Sequence, residues 1–292
     1  MKRAVRYGVM IVILLVATGA AMFVYLPHPN DVPDRVMSYL EERKNETRPL
    51  VLKSAGDWIT LQPGLELRRA RFNRKDRLLS RFNLIALRVD PEKMRLRMIH
   101  VPAKQLPQTD IETLAQSTGA IALINASYFE PDFKVMGLLV CDEQRISPMR
   151  KEGNIHHGVF YLHDNRAFLV HRTNFTEPKV EQAFQAGPWL ISDGEAQHRF
   201  RNANIVTRRS AVGVDKKGRV ILAATDALLG GLSLPELAGF LAKPESEGGF
   251  ALWRAINCDG GTSTQMLLNH PRESLTIRST MRVPAYLGVF AR

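Results

Sequence analysis

The stretch Ala211-Val212-Gly213-Val214, Asp215-Lys216-Lys217-Gly218, Arg219, Val220-Ile221-Leu222-Ala223-Ala224 decides the fold class. Two short apolar runs flank a polar turn that ends in glycine, the pattern of a β-hairpin and not of a helix. The same punctuation recurs outward from it. Residues 82–90 have period-2 character and stop at Asp90-Pro91, and residues 94–101 follow as the expected hairpin partner. Ala120-Ile121-Ala122-Leu123-Ile124 is apolar throughout, as a strand covered on both faces would be. Further strands are expected at 137–140, 158–162, 167–170 and 188–191. Two helices stand out. One covers 111–117, opened by Thr109 or Asp110 and closed by Gly119; the other is opened by Ser233 and carries apolar Leu234, Leu237, Ala238 and Leu241. Many hairpins with few helices predict an α+β domain, a mixed, largely antiparallel sheet with a few packed helices. No Gly-rich phosphate loop supports a nucleotide fold.

The 292 residues carry 40 Lys+Arg against 29 Asp+Glu, for a net charge of +11, and 45% are hydrophobic. That mix belongs to a globular protein and excludes disordered and fibrous classes. The basic residues are spread along the chain without a nucleic-acid-binding motif, so no nucleic acid partner is expected. A diffuse basic surface suits an anionic small substrate, an envelope polymer or a membrane face. Two cysteines, Cys141 and Cys258, exclude a disulfide scaffold and any all-cysteine metal site.

Lys2, Arg3 and Arg6 precede an uncharged, mostly apolar stretch over 7–26. About twenty such residues span a bilayer as a helix, and the basic flank keeps the N-terminus cytoplasmic. Thr18-Gly19-Ala20 is a poor imitation of a signal-peptidase site, so an uncleaved transmembrane helix is expected ahead of the alternative, a cleaved signal peptide. The implied organisation is an anchor over 1–27, a juxtamembrane helix (34–44) and linker (45–49) within 28–60, and a folded domain over 61–292. The protein would be single-pass in the inner membrane, with that domain periplasmic or extracellular. Export would allow Cys141 and Cys258 to pair.

Three apolar strands end abruptly in Asx or glycine: 121–124 before Asn125, 220–224 before Thr225-Asp226, and Ala255-Ile256 before Asn257-Cys258-Asp259-Gly260-Gly261-Thr262-Ser263. Such ends can gather polar groups at one rim of a sheet, or each Asx can simply cap a turn. If Val214 faces Arg219 across the hairpin, Arg209 faces Ala224. Asp226 would then be its diagonal neighbour, about 7 Å away, and a slip of one residue would bring Arg208 there instead. His156-His157 do not read as a metal site, because adjacent residues of a strand point to opposite faces. Glu236 lies three residues after Ser233, the capping-box spacing.

Asn125-Ala126-Ser127-Tyr128-Phe129, Gly187-Pro188-Trp189-Leu190, Arg209-Ser210-Ala211-Val212-Gly213, Asp226 with Leu234-x-Glu236-Leu237-Ala238, and Asn257 to Ser263 occur in one order. Over residues 61–292 the chain thereby resembles the phosphodiester glycosidase family. Ser127, Ala186, Cys258 and Thr262 depart from that family's usual residues, while the Gly260-Gly261 pair and every charged candidate are kept. The resemblance implies hydrolysis of a sugar–phosphate diester to free sugar and phosphomonoester. It implies Arg209 as the phosphate's cation, since a guanidinium binds two oxygens at once. Asp259 is implied as base or nucleophile, with Asp226 second. Asn125 and Ser263 would bind sugar hydroxyls or phosphate oxygens, with Gly187 and Tyr128 also in the binding site. Gly260 and Gly261 would let the ligand approach the backbone. No cofactor is implied, and a divalent cation is left open. The substrate would be an anionic sugar phosphate or polysaccharide of the envelope. The alternative is a non-catalytic polysaccharide-binding or assembly module of the same fold.

Overall fold

The computed structural model describes residues 50–74, 81–153, 155–176, 179–228 and 230–292, together with the backbone of two short strands near the N-terminus. The chain divides into two compact units, Met1–Thr47 and Arg48–Arg292. In the first, β1 (Met10–Ile13) pairs antiparallel with β2 (Met22–Tyr25). The anchor expected over 7–26 otherwise lies outside the described residues, as does the helix expected over 34–44. Among the described residues no helix is long and apolar enough to cross a membrane.

The second unit is built on three antiparallel sheets. The first has nine strands and includes β3 (Leu50–Ala55), β4 (Ile59–Gln62), β5 (Leu65–Arg74) and β6 (Arg81–Val89). Its other members are β14 (Trp189–Ser192), β15 (Glu195–Ala196), β16 (Ser210–Asp215), β17 (Val220–Asp226) and β18 (Leu252–Asn257). Their order is β15-β14-β18-β16-β17-β6-β5-β3, with β4 on β5. The described part of this sheet begins at Leu50, directly after the linker read over 45–49. The second sheet joins β9 (Leu139–Cys141), β10 (Gln144–Ser147), β11 (Gly158–His163), β12 (Arg166–His171) and β13 (Gln182–Ala186). The third joins β7 (Arg95–His100), β8 (Ala122–Asn125), β19 (Met266–His270), β20 (Glu273–Ile277) and β21 (Ala285–Phe290).

Period-2 alternation explains how the sheets stack. On β6, Ile85, Leu87 and Val89 enter a core shared by all three sheets, where they join Phe160, Phe184, Ile124, Met266 and Leu287. Phe82, Leu84 and Ala86 of the same strand enter a second core under α2 (Leu234–Ala242), with Leu237, Ala238 and Leu241. The first helix, α1 (Ile111–Thr118), covers the third sheet through Ile111 and Leu114. Asp110 caps it by accepting from the Thr113 N–H, and Gly119 ends it at φ +74°.

Two expectations need correction. The stretches 82–90 and 94–101 are not a hairpin: β6 lies between β5 and β17, while β7 crosses to the third sheet and pairs with β21. Apolar on both faces, β6 belongs inside a sheet with a partner on each side. The Asp90-Pro91 turn, whose Asp90 carbonyl accepts from Lys93 and Met94, sends the chain away. The β16–β17 hairpin pairs Val214 with Val220 and Ser210 with Ala224, one residue from the expected register. Asp215 makes the difference. Its carboxylate accepts the Lys217 and Arg219 N–H groups at 2.8 and 2.9 Å, while its own N–H donates to the Arg219 carbonyl. This leaves a three-residue loop in which Gly218 takes φ +78°.

Candidate functional site

Four chain segments converge at one rim of the first and third sheets: the end of β8, the approach to β16, the end of β18 and the Gly187-Pro188 turn before β14. Asn125 ties three of them together and is 1% exposed. Its Oδ1 accepts from Ser210 Oγ at 2.7 Å and from the Gln265 N–H at 3.1 Å, and its Nδ2 donates to the Asp259 carbonyl at 2.7 Å. Both lone pairs and one amide hydrogen are thus spent on protein. Asn125 is a clamp that shapes the Asp259 loop, with one amide hydrogen left over.

The second knot is Tyr128. Its hydroxyl donates to the Gly187 carbonyl at 2.8 Å, lies 3.3 Å from the Cys258 carbonyl and accepts from Asn257 Nδ2 at 2.8 Å. Burial first, then the negative charge of Asp259, pushes its pKa far above the ordinary tyrosine value, so the phenol stays neutral. Asn257, given no role in the sequence reading beyond its motif, is thus a positioning residue. A side chain at Gly187 would meet the backbone of His157 at 3.0 Å, so glycine permits this close packing.

Asp259 stands half-buried just beyond these knots, its N–H donating to the Ala126 carbonyl. Burial raises its carboxyl pKa; hydrogen bonds from the Ser263 side chain and the Gly260 N–H work against that rise without cancelling it. Ser263 therefore serves Asp259. Gly260 packs on the Arg208 carbonyl, where a Cβ would sit 3.0 Å away. Gly261 adopts φ +61° and donates to that same carbonyl at 2.8 Å.

Arg209 is 8% exposed. Its Nε donates to the Leu232 carbonyl at 2.9 Å and its Nη2 to that of Ile205 at 2.6 Å, leaving Nη1 without a partner among the described residues. Burial lowers its pKa somewhat, and the nearby Tyr128 and Glu236 oppose that fall. The site thus holds a preset guanidinium with N–H groups to spare.

The observed register separates Arg209 from Asp226. Arg209 lies opposite Thr225, whose Oγ1 accepts from the Arg209 N–H at 2.7 Å. Asp226 is exposed, pairs with Asn83, and acts electrostatically on Arg208. Arg208 Nη2 in turn donates to the carbonyls of Thr264 and Arg278. Asp226 is therefore placed along the sheet end, two strands over from the Asp259 loop.

Glu236 completes the capping box with Ser233 and also receives the Arg74 guanidinium, Nη1 to Oε1 at 2.9 Å. Burial acts against its charge, but the Arg74 and Ser233 hydrogen bonds outweigh it and hold the carboxyl below the usual glutamate value. The two histidines separate as expected of neighbours. His156 is buried at 2% exposure, its pKa pushed down to about 4 by burial and by Arg150 and Arg172. His157 instead lines a cleft with His171 and Trp189. Cys141 and Cys258 are free thiols.

The profile of the phosphodiester glycosidase family matches residues 118–290, which include Asn125, Tyr128, Arg209, Asp226 and Asp259. The N-acetylglucosamine-1-phosphodiester alpha-N-acetylglucosaminidase of Homo sapiens is 26% identical over 188 residues, 54% of this chain and 34% of that protein. The Bos taurus protein of the same name is also 26% identical, over 54% of this chain and 33% of its own length. The chain spans about a third of the length of the curated relatives it matches. Among solved structures, the zebrafish catalytic domain of that name, auto-inhibited by its pro-peptide, superposes with a TM-score of 0.59 at 17% identity. The match covers 86% of this chain and 93% of that one. A hypothetical protein from Synechocystis gives 0.54 at 17% identity, covering 85% and 64%. At such identities the two structures speak for the fold.

Proposed function

Since the chain belongs to the phosphodiester glycosidase family, we propose that it hydrolyses a sugar-1-phosphate diester, releasing free sugar and a phosphomonoester. The observation that carries this reading is the half-buried Asp259 carboxyl, made more basic by burial, on the same rim as the preset Arg209 guanidinium. A phosphomonoester leaves as an already acidic group, so bond breaking demands less of a proton donor than in an ordinary glycoside. What the reaction needs is a cation on the phosphate and a carboxylate at the anomeric carbon or its attacking water. Arg209 Nη1 supplies the first. Asp259, in its ionised form, supplies the second, and its raised pKa strengthens it as base or nucleophile. Tyr128 stays protonated and fixes the Gly187 and Cys258 carbonyls around the ligand. A carboxylate facing an anionic ligand would only weaken a pure binding module, which favours the hydrolase over the non-catalytic alternative.

We further propose that the substrate is an envelope or extracellular glycan and that residues 7–26 tether the protein to the inner membrane with its second unit outside the cytoplasm. The basic flank Lys2, Arg3, Arg6 and the apolar run support this. The test of the chemistry is incubation of the full chain and of Asp259→Asn with a panel of sugar-1-phosphodiesters. Free sugar from the wild type alone is the expected result; no release from any substrate by the folded wild type would favour the binding module.

A further inference from the structure

The end of the first sheet that holds the Asp259 loop runs on past it toward β3. Asp226 on β17 pairs with Asn83 on β6, Asn83 pairs with Arg71 on β5, and Arg71 pairs with Ser54 on β3. Residues opposite one another on a ladder project from the same face. A row of polar side chains therefore crosses four neighbouring strands at the sheet end that holds the Asp259 loop. It lies on the face of Arg208, which is opposite Asp226, and not on that of Arg209, which is opposite Thr225, so a ligand reaching from Arg209 into the row passes over the strand ends. Beside that row Lys53, Arg71, Phe72, Asn73, Arg81, Phe82, Asn83 and Asp226 line a groove of about 580 Å³.

Among the described residues that line the groove, cations outnumber acids. Lys53, Arg71 and Arg81 are exposed, and none has an ion pair among the described residues. Among the described residues the one acid lining it, Asp226, already faces the charge of Arg208. Three uncommitted cations around one concave surface make a local attraction for anions, stronger than that of the protein's scattered surface ion pairs. One small anion cannot touch both the Asp259 loop and the groove. In the strand order β18-β16-β17-β6-β5, four steps separate the end of β18 from Arg71, roughly 19 Å at the usual strand spacing. A ligand in contact with both ends must be extended and must carry negative charge along its length.

We propose that this groove binds the continuation of a polymeric substrate, a glycan whose repeating units carry phosphate, so that the chain end at Asp259 and its downstream phosphates are held together. The identification of the groove's ligand as substrate rests on the hydrolase reading above; its affinity for an extended phosphate polymer does not. Phosphates two or more units from the scissile bond would meet Arg81, Arg71 and Lys53, while Asn83 offers an uncharged amide to the intervening hydroxyls. Monomeric phosphodiesters would occupy only the Arg209 end and gain nothing from the groove.

The test uses the full chain, its Lys53→Gln/Arg71→Gln/Arg81→Gln variant and Asp259→Asn, with fluorescently labelled linear inorganic polyphosphate as probe and anisotropy as readout. Wild type and Asp259→Asn should bind alike. The triple variant should bind at least tenfold more weakly, yet melt as wild type and cleave a monomeric sugar-1-phosphodiester at an unchanged rate. Inorganic phosphate should distinguish the triple variant from wild type hardly at all. Absence of polyphosphate binding by wild type, or equal binding by the triple variant, overturns the proposal. So does a triple variant that loses only adhesion to phosphatidylglycerol vesicles, which would make the groove a membrane face. Absent turnover of every sugar phosphodiester with polyphosphate binding intact would instead strike the hydrolase reading and leave the groove standing.

Discussion

Replacing Asn125 with Ala tests whether this residue is a clamp or a ligand contact. The substitution removes three hydrogen bonds at a site 1% exposed. It leaves the Gln265 N–H, the Ser210 hydroxyl and the Asp259 carbonyl without that partner. At about 1 kcal/mol for each buried group deprived of its bond, the expected loss is about 3 kcal/mol. For a domain of this size that corresponds to a fall in Tm of about 6–12 °C. Ser210→Ala removes only one of the three bonds and should cost about 1 kcal/mol. Asn125→Asp offers no rescue, because it turns the Nδ2 donor into an acceptor facing the Asp259 carbonyl and buries a charge. Urea denaturation of the three variants, with the slope m monitored to confirm a common unfolded state, supplies the comparison. An Asn125→Ala protein within 1 kcal/mol of wild type, at unchanged m, would refute the clamp and return Asn125 to the ligand.

Four further outcomes are expected. Asp259→Asn should abolish turnover and raise Tm at neutral pH: the folded pKa lies above the unfolded one, so ionisation costs stability as pH rises through that interval. The gain should vanish below the ordinary aspartate range, and a variant no more stable than wild type at pH 7 would contradict the buried-carboxylate account. Arg209→Lys should lower kcat/KM for phosphodiester substrates by more than tenfold, since one ammonium cannot reproduce the guanidinium's bonds to Leu232, Ile205 and a phosphate; unchanged kinetics would move the phosphate role to Arg208. Glu236→Ala should cost about 3 kcal/mol or more, measured by denaturation, because it breaks a buried pair with Arg74 as well as a cap; a loss under 1 kcal/mol would reduce it to the cap alone. The Glu236 contribution, from a carboxyl held below its usual pKa, should be complete above pH 5 and disappear as acid protonates the folded state, so wild type and Glu236→Ala should converge in Tm at low pH.

Local chemistry was legible in the sequence where the physical cause was local. Ser233 with Glu236, and Asp110 with Gly119, mark their helices because the capping partners lie within a few residues. The β16–β17 hairpin was visible for the same reason, but its register was not. One side chain, Asp215, captures two turn N–H groups and shifts the pairing by a residue, which exchanges Arg208 for Arg209 beside Asp226. Strand partnership was harder still. Nothing within 82–101 says that β6 prefers β17, over a hundred residues away, to its neighbour β7. The three Asx-terminated strands did announce a rim. That Asn125 turns inward while Asp259 stays half-exposed depends on Ser210 and Gln265, 85 and 140 residues further along the chain.

The position of β21 has a temporal consequence. This strand, residues Ala285–Phe290, lies between β8 and β7, and the Ala285 carbonyl receives the Ala126 N–H directly after Asn125. Strand β8 therefore waits for residues made some 160 positions later before it has both neighbours. Long-range closure of this kind makes folding slow, because the loop entropy is lost before the contacts repay it. A chain emerging stepwise, from a ribosome or through a translocation pore, would carry its Arg209 and Asp259 segments as separate, unassembled pieces until β21 slotted in. The site would then assemble only once β21 was in place, and removal of Ala285–Phe290 would leave a protein without an assembled site although every residue of that site was still present.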